Sequence, residues 1–257
     1  MTSPVRPTRP ARALLAALVL AAGSLTALAT SGAAHADTRL CGAYDKATIQ
    51  GRYVVQNNRW GTSETQCIDV TDTGFRIAQA DGSASTSGPP KSYPSVFDGC
   101  HYTVCAPGTS LPRQISAIGS APSSISFTYV DDAVFDAAYD IWLDPEPKTD
   151  GVNQTEIMIW LHHLGPVQPV GERTGSADLG GRTWDVWTGN NGGNDVVSYV
   201  ATSATSHYDF DVRDFVRDVI SLGKAADSWY LTSVQAGFEP WENGTGLAVN
   251  SFFFAVN

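Results

Sequence analysis

Two glutamates carry the chemistry that this chain can be read for. Of its 26 acidic residues only six are Glu, and Glu64, Glu146, Glu172 and Glu242 fall in polar or Pro/Gly-rich segments that water can solvate. Glu156 and Glu239 lie in or at the end of apolar, strand-like runs. In Glu156-Ile157-Met158-Ile159-Trp160-Leu161, a period of two puts Glu156, Met158 and Trp160 on one face and three aliphatic side chains on the other. The aliphatic face suits the space between two sheets; the other joins a carboxylate, a thioether and an indole, as a sugar-binding cleft would. Glu239 ends the run Val234 to Glu239, is held extended by Pro240, and has Phe238 and Trp241 as expected apolar surroundings. Such surroundings raise a carboxyl pKa, as a general acid requires. Asp140, alternating with Trp142 in Tyr139-Asp140-Ile141-Trp142-Leu143-Asp144, is a third candidate. Two carboxyls flanking an aromatic cleft suit glycosidic hydrolysis, one protonating the leaving oxygen while the other attacks or activates water.

The elements that must position these acids are strands. Short alternating runs recur at Gly51–Gln56, Gly74–Ala78, Ile125–Val130, Tyr139–Leu143, Glu156–Leu161, Thr183–Thr188, Val196–Ala201, Trp229–Phe238 and Leu247–Val256. Between them, stretches such as Ala80–Pro90 and Gly189–Asp195 are rich in turn residues. The pattern predicts an all-β domain, a jelly roll or sandwich of two antiparallel sheets. One segment departs from it: Val212, Phe215, Val216, Val219 and Ile220 recur at helical spacing within 211–224. Asp209 or Asp211 can cap this helix and Gly223 can end it, so one amphipathic helix is expected against the outside of a sheet.

Residues 1–36 read as a secretory signal peptide, with Arg6, Arg9 and Arg12 before an apolar core at 13–22 and Ala34-His35-Ala36 before Asp37. The apolar run is too short to span a membrane. Removing it leaves one domain, residues 37–257, with 13 basic against 26 acidic side chains. That acidic balance offers nothing to neutralise phosphates, which excludes nucleic acid as a partner, and no membrane partner is expected. Export makes disulfides the default for Cys41, Cys67, Cys100 and Cys105. The pairing favoured by sequence locality is Cys41–Cys67 with Cys100–Cys105. A zinc site at Cys100-His101 matches no standard ligand spacing, and neither metal nor cofactor is expected.

Five segments resemble glycoside hydrolase family 12, the compact β-jelly-roll endoglucanases, and its secreted actinobacterial members in particular. They are Gln50–Tyr53, Asn57-Asn58-Arg59-Trp60-Gly61, Tyr139–Leu143, Thr155–Trp160 and Gly237-Phe238-Glu239-Pro240-Trp241, spanning nearly all of the mature chain. The resemblance implies a retaining endo-β-1,4-glucanase acting on cellulose and related soluble glucans. By that match Glu156 is the nucleophile, Glu239 the acid/base, and Asp140 the acid that supports the nucleophile. Asn58 and Trp60 match glycone-subsite residues, Met158 and Trp160 match the cleft face around the nucleophile, and Gly165–Gly171 looks like the loop that crosses the cleft. A β-glucan is the implied partner, and a monomer the expected state. Xyloglucan or mixed-linkage glucan as preferred polymer, and a non-catalytic carbohydrate-binding sandwich, are the alternatives. His162-His163 has no counterpart in the family pattern and fits a strand end better than a metal. His101-Tyr102 has two open placements, in the cleft or packed beside the Cys100–Cys105 loop.

Overall fold

The computed structural model describes residues 38–257 and the first three residues of the chain; the leader read at 1–36 lies almost wholly outside the described residues. In chain order the first strands are β1 (Thr38–Leu40), β2 (Lys46–Ile49), β3 (Tyr53–Gln56), β4 (Gln66–Val70), β5 (Phe75–Ala80) and β6 (Ser95–His101). The middle ones are β7 (Val104–Cys105), β8 (Arg113–Gln114), β9 (Pro122–Thr128), β10 (Val134–Asp144), β11 (Thr155–Leu164) and β12 (Glu172–Leu179). The last are β13 (Arg182–Asn190), β14 (Asp195–Ala201), β15 (His207–Asp211), β16 (Tyr230–Glu242) and β17 (Ala248–Phe254), with the helix α1 (Val212–Ser221) between β15 and β16.

These strands form two sheets, as the alternation predicts. The smaller runs β1-β4-β5-β17-β9-β15, and the larger β12-β13-β14-β11-β10-β16-β6-β3-β2, with β7 beside β6 and β8 beside β16. Pairing is antiparallel except between β11 and β14, which run parallel. The inner faces bury Ile157, Ile159 and Leu161 of β11 and Phe135, Tyr139 and Ile141 of β10 against Phe75, Ile125, Phe127 and Phe252 of the smaller sheet. The aliphatic face predicted for β11 is therefore the core face. Two disulfides are present, Cys41–Cys67 and Cys100–Cys105, the pairing expected from locality.

The helix begins where its cap predicts. Asp211 is extended, and its carboxylate accepts from the Arg213 N–H at 2.9 Å. It ends at Ser221, three residues short of the predicted limit, because Gly223 turns left-handed at φ 72°. The Gly223 and Lys224 N–H groups then donate back to Ile220 and Val219. Val212, Phe215, Val216 and Val219 join the main core, with Phe215 edge-on to Trp184 and Tyr199, so the helix packs into that core and not against the outside of a sheet as expected.

Candidate active site

The outer face of the larger sheet is the floor of a cleft of about 1450 Å³. Three adjacent strands, β11, β10 and β16, place the acids on it. On β11, Glu156, Met158 and Trp160 all line the cleft, as the period of two requires. On β10, Asp140 and Trp142 line it, opposite Met158 and Glu156 respectively. On β16, Gln235, Glu239 and Trp241 do so. All three sequence-identified acids are thus brought together; Glu156 is 8% exposed and Asp140 4%, while Glu239 is partly exposed to the cleft.

One expectation needs correcting. Phe238 does not surround Glu239; it points into the inter-sheet core, edge-on to Phe75, Phe127 and Phe135. Neighbours in sequence face opposite ways on a strand, so only Trp241, two residues on, shares the face of Glu239. Trp241 packs with Met158, Trp160, Val167, Val196 and Ala138 in a separate apolar cluster. Its indole N–H donates to the Gly88 carbonyl at 2.8 Å, tying the Thr86–Pro90 wall of the cleft to β16.

That wall is anchored from below by Lys91, which is 1% exposed. Its ammonium donates to the carbonyls of Ala80, Asp81, Gly82 and Asn243 at 3.0–3.3 Å. Burial lowers its pKa, while Asp81 and Glu242 oppose that shift. The opposite wall comes from Pro166, Gln168, Pro169 and Val170, within the loop matched to the family's cleft-crossing segment.

Aromatic groups mark the cleft's length. Trp60 is 47% exposed and Asn58, held left-handed at φ 40°, stands beside it in the lining. Tyr44, also exposed, extends this side. His101 and Tyr102 both reach the cleft, on the hairpin closed by Cys100–Cys105. The His101 ring lies 5.7 Å from Trp142 and 4.6 Å from Tyr102, and burial pushes its pKa down to about 4. It is therefore neutral at pH 7.

The His162-His163 pair is explained by a bulge. Ala137 pairs with His162 and Ala138 with Trp160, so Leu161 is an extra residue on β11. The alternation flips there. His162 packs towards the core against Tyr129 and Phe135, whereas His163 returns to the cleft side against Trp160.

The sequence reading missed Asp136. It lies on the same face of β10 as Asp140 and Trp142, directly opposite Glu239 on β16, and is fully buried. The signal was present, since 136, 140 and 142 share parity, but the predicted run began only at Tyr139. Asn194 and Tyr93 were missed as well. Asn194 donates to a Glu156 oxygen at 3.3 Å, from the turn between β13 and β14. The Tyr93 hydroxyl donates to the Ala138 carbonyl at 3.2 Å and sits beside the Asp140 carboxyl.

Four carboxyls are therefore crowded into one enclosed site, and no ion pair among the described residues reaches them. Burial pushes Glu156 up to about 7, with the Asn194 bond holding it down in part. Burial likewise drives Asp140 well above the usual carboxylate range, helped by Glu156 and Glu239. Glu239 is raised by burial and then by Asp136. Burial thus makes all four harder to ionise than free carboxyls.

A β-sandwich whose cleft carries paired, enclosed carboxyls between aromatic side chains suits a glycoside hydrolase. The chain belongs to glycosyl hydrolase family 12, whose sequence model matches residues 51–257. It is 49% identical over 150 residues to a probable cellulase of Mycobacterium tuberculosis, covering 58% of this chain and 99% of that protein. It is 32% identical over 247 residues to a xyloglucan-specific endo-beta-1,4-glucanase A of Emericella nidulans, covering 93% and 99% respectively. Among solved structures, a native endo-1,4-beta-glucanase superposes with a TM-score of 0.85 at 63% identity, covering 86% of this chain and all of that one. An endoglucanase from Rhodothermus marinus superposes at 0.82 with 34% identity, covering 86% and 99%.

Proposed function

We propose that this glycosidase is a secreted endo-β-1,4-glucanase that cleaves internal bonds of cellulose and related soluble glucans with retention. The observation that supports it most is the placement of Glu156 and Glu239 in one aromatic cleft, close enough for the Glu156 charge to raise the Glu239 carboxyl. In this reading Glu156, ionised, attacks the anomeric carbon and forms a glycosyl-enzyme intermediate. Glu239 gives its proton to the leaving sugar and then takes one from water, releasing the product. Asp140, diagonal to Glu156 across the β10–β11 pair, supports the nucleophile by sharing its proton. Asn58 and Trp60 bind the glycone side, and Met158 and Trp160 form the floor beside the nucleophile. Residues 1–36 act as the export leader and 37–257 as a monomeric catalytic domain.

Release of reducing ends from carboxymethylcellulose tests the activity. It is expected to be abolished in Glu156→Ala and in Glu239→Ala; unchanged release in either would sink the assignment. Proton NMR during hydrolysis is expected to show the β-anomer first, and an α-first product would refute retention. Xyloglucan preference is the second reading, favoured by relatives of that description at 30–34% identity. Rates on cellulose, xyloglucan and mixed-linkage glucan side by side separate the two.

A further inference from the structure

Asp136 has no assigned task, yet it is the most completely enclosed acid of the group. It does not line the cleft and lies behind Glu239, opposite it in the β10–β16 pairing. Neither of its carboxylate oxygens has an aligned donor. The groups that approach them are the carboxyl and the backbone N–H of Glu239. An isolated buried carboxylate costs several kcal/mol, so the arrangement requires a proton between the two acids. A protonated Glu239 is the group positioned to supply that hydrogen bond.

We propose that Asp136 is a positioning residue for the acid/base: its carboxylate accepts the hydrogen bond of the protonated Glu239 carboxyl and holds that acid ready until the leaving sugar oxygen takes the proton. This rests on Glu239 being the acid/base. In the first step the bond between the anomeric carbon and the leaving oxygen breaks. A bond to a Glu156 oxygen forms, and the Glu239 proton passes to the leaving oxygen. Asp136 and Glu239 then face each other as two anions, while Glu156 has been neutralised as an ester. Their repulsion makes Glu239 a stronger base for the second step. There it takes a proton from water as the water oxygen bonds to the anomeric carbon and the ester bond to Glu156 breaks. The pair returns to one shared proton, and no net charge has entered the site.

The other groups that face the pair act in the same sense or are neutral. Asp140 on β10 and Glu156 on β11 add negative charge, and the Tyr93 hydroxyl is enclosed beside them with its own pKa raised by burial. His163 is opposite Asp136 in the β10–β11 pairing, but it is exposed and its ring lies tilted beside Trp160, 5.9 Å away. The high-pH limb of activity therefore reports the Asp136–Glu239 pair.

The test is Asp136→Asn, which keeps the shape and deletes the charge. The high-pH limb of kcat/KM is expected to move to lower pH by at least about one unit, a loss of about tenfold at pH values above the new limb. On an aryl cellobioside with a leaving group that needs no protonation, formation of the glycosyl-enzyme should be spared and its hydrolysis slowed, giving a burst. A limb that stays in place or moves to higher pH, or a loss that is equal at all pH values, would overturn the proposal. Should the variant fail to fold, carboxyl-carbon NMR of the wild-type enzyme decides. The Asp136 and Glu239 signals should move together as one coupled titration, and an independent Asp136 titration would refute the pairing. Failure of the underlying reading looks different, because then Glu239→Ala itself would keep its activity.

Discussion

The low-pH limb of activity should belong to Glu156, and Asn194 is the lever that moves it. Glu156 must be ionised to attack, and burial places its pKa at about 7. Activity is therefore present above pH 7 and falls about tenfold per unit below it. The opposing influence is the Asn194 amide, whose bond at 3.3 Å stabilises the charged form. Hydrogen bonds to charged groups contribute about 1.5–3 kcal/mol. This one is long, and the same amide nitrogen also donates to the Asp195 carbonyl. Taking about 1 kcal/mol, Asn194→Ala should raise the limb by about 0.7 pH units. At pH 6 the ionised fraction would drop from about one-tenth to about one-fiftieth, a fivefold loss in kcat/KM, with almost none at pH 9. Asn194→Asp, placing a like charge there, should move the limb further in the same direction. Initial rates on a soluble glucan from pH 4 to pH 10 measure both. A wild-type limb below pH 5.5, or a limb unmoved in Asn194→Ala, would refute the reasoning.

Glu156→Gln should be inactive yet more stable at alkaline pH. A carboxyl whose folded pKa exceeds its unfolded value penalises folding above the folded pKa and not below the unfolded one. Each pH unit separating those two pKa values is worth about 1.4 kcal/mol, so the gain should approach about 3 kcal/mol at pH 8.5 and vanish at pH 4. Melting temperatures at the two pH values check it, and an equal effect at both would count against a raised Glu156 pKa. Lys91→Met leaves four carbonyls without their shared donor and should destabilise by about 3 kcal/mol in chemical denaturation. A change under about 0.5 kcal/mol, the size of a neutral surface substitution, would show that the cage is not a clamp. Trp60→Ala should raise KM about tenfold at similar kcat, since an exposed platform binds substrate and transition state alike. A kcat effect without a KM effect would contradict that role.

The core and the floor of the cleft were legible because strand parity is a local property. Ile157 and Ile159 against Glu156 and Met158 could be sorted by counting in twos. The same counting failed where the backbone adds a residue. The bulge at Leu161 sends His162 and His163 to opposite faces, and no local signal in the run announces it. Phe238 was misplaced by reading proximity along the chain as proximity in space. Asp136 escaped because Val134-Phe135-Asp136-Ala137-Ala138 has too little alternating polarity to read as strand. Asn194 and Lys91 act through turns and carbonyls assembled by the fold, for which a sequence holds no pattern. The parallel seam between β11 and β14 follows from the β12–β13 excursion between them, a matter of topology rather than of residue type.

Strand order also says when this molecule can become a folded one. β16 is wedged between β10 and β6, and β17 between β5 and β9, so each sheet is split until residues 230–254 arrive. Sequential contacts such as β10 with β11 can form early, but the two sandwich halves cannot close. A ribosome emitting this chain thus releases an unclosed sandwich for roughly nine-tenths of its synthesis. Glu239 is carried on the wedge itself. Catalytic competence and topological closure are consequently one event, and a chain interrupted before it has neither.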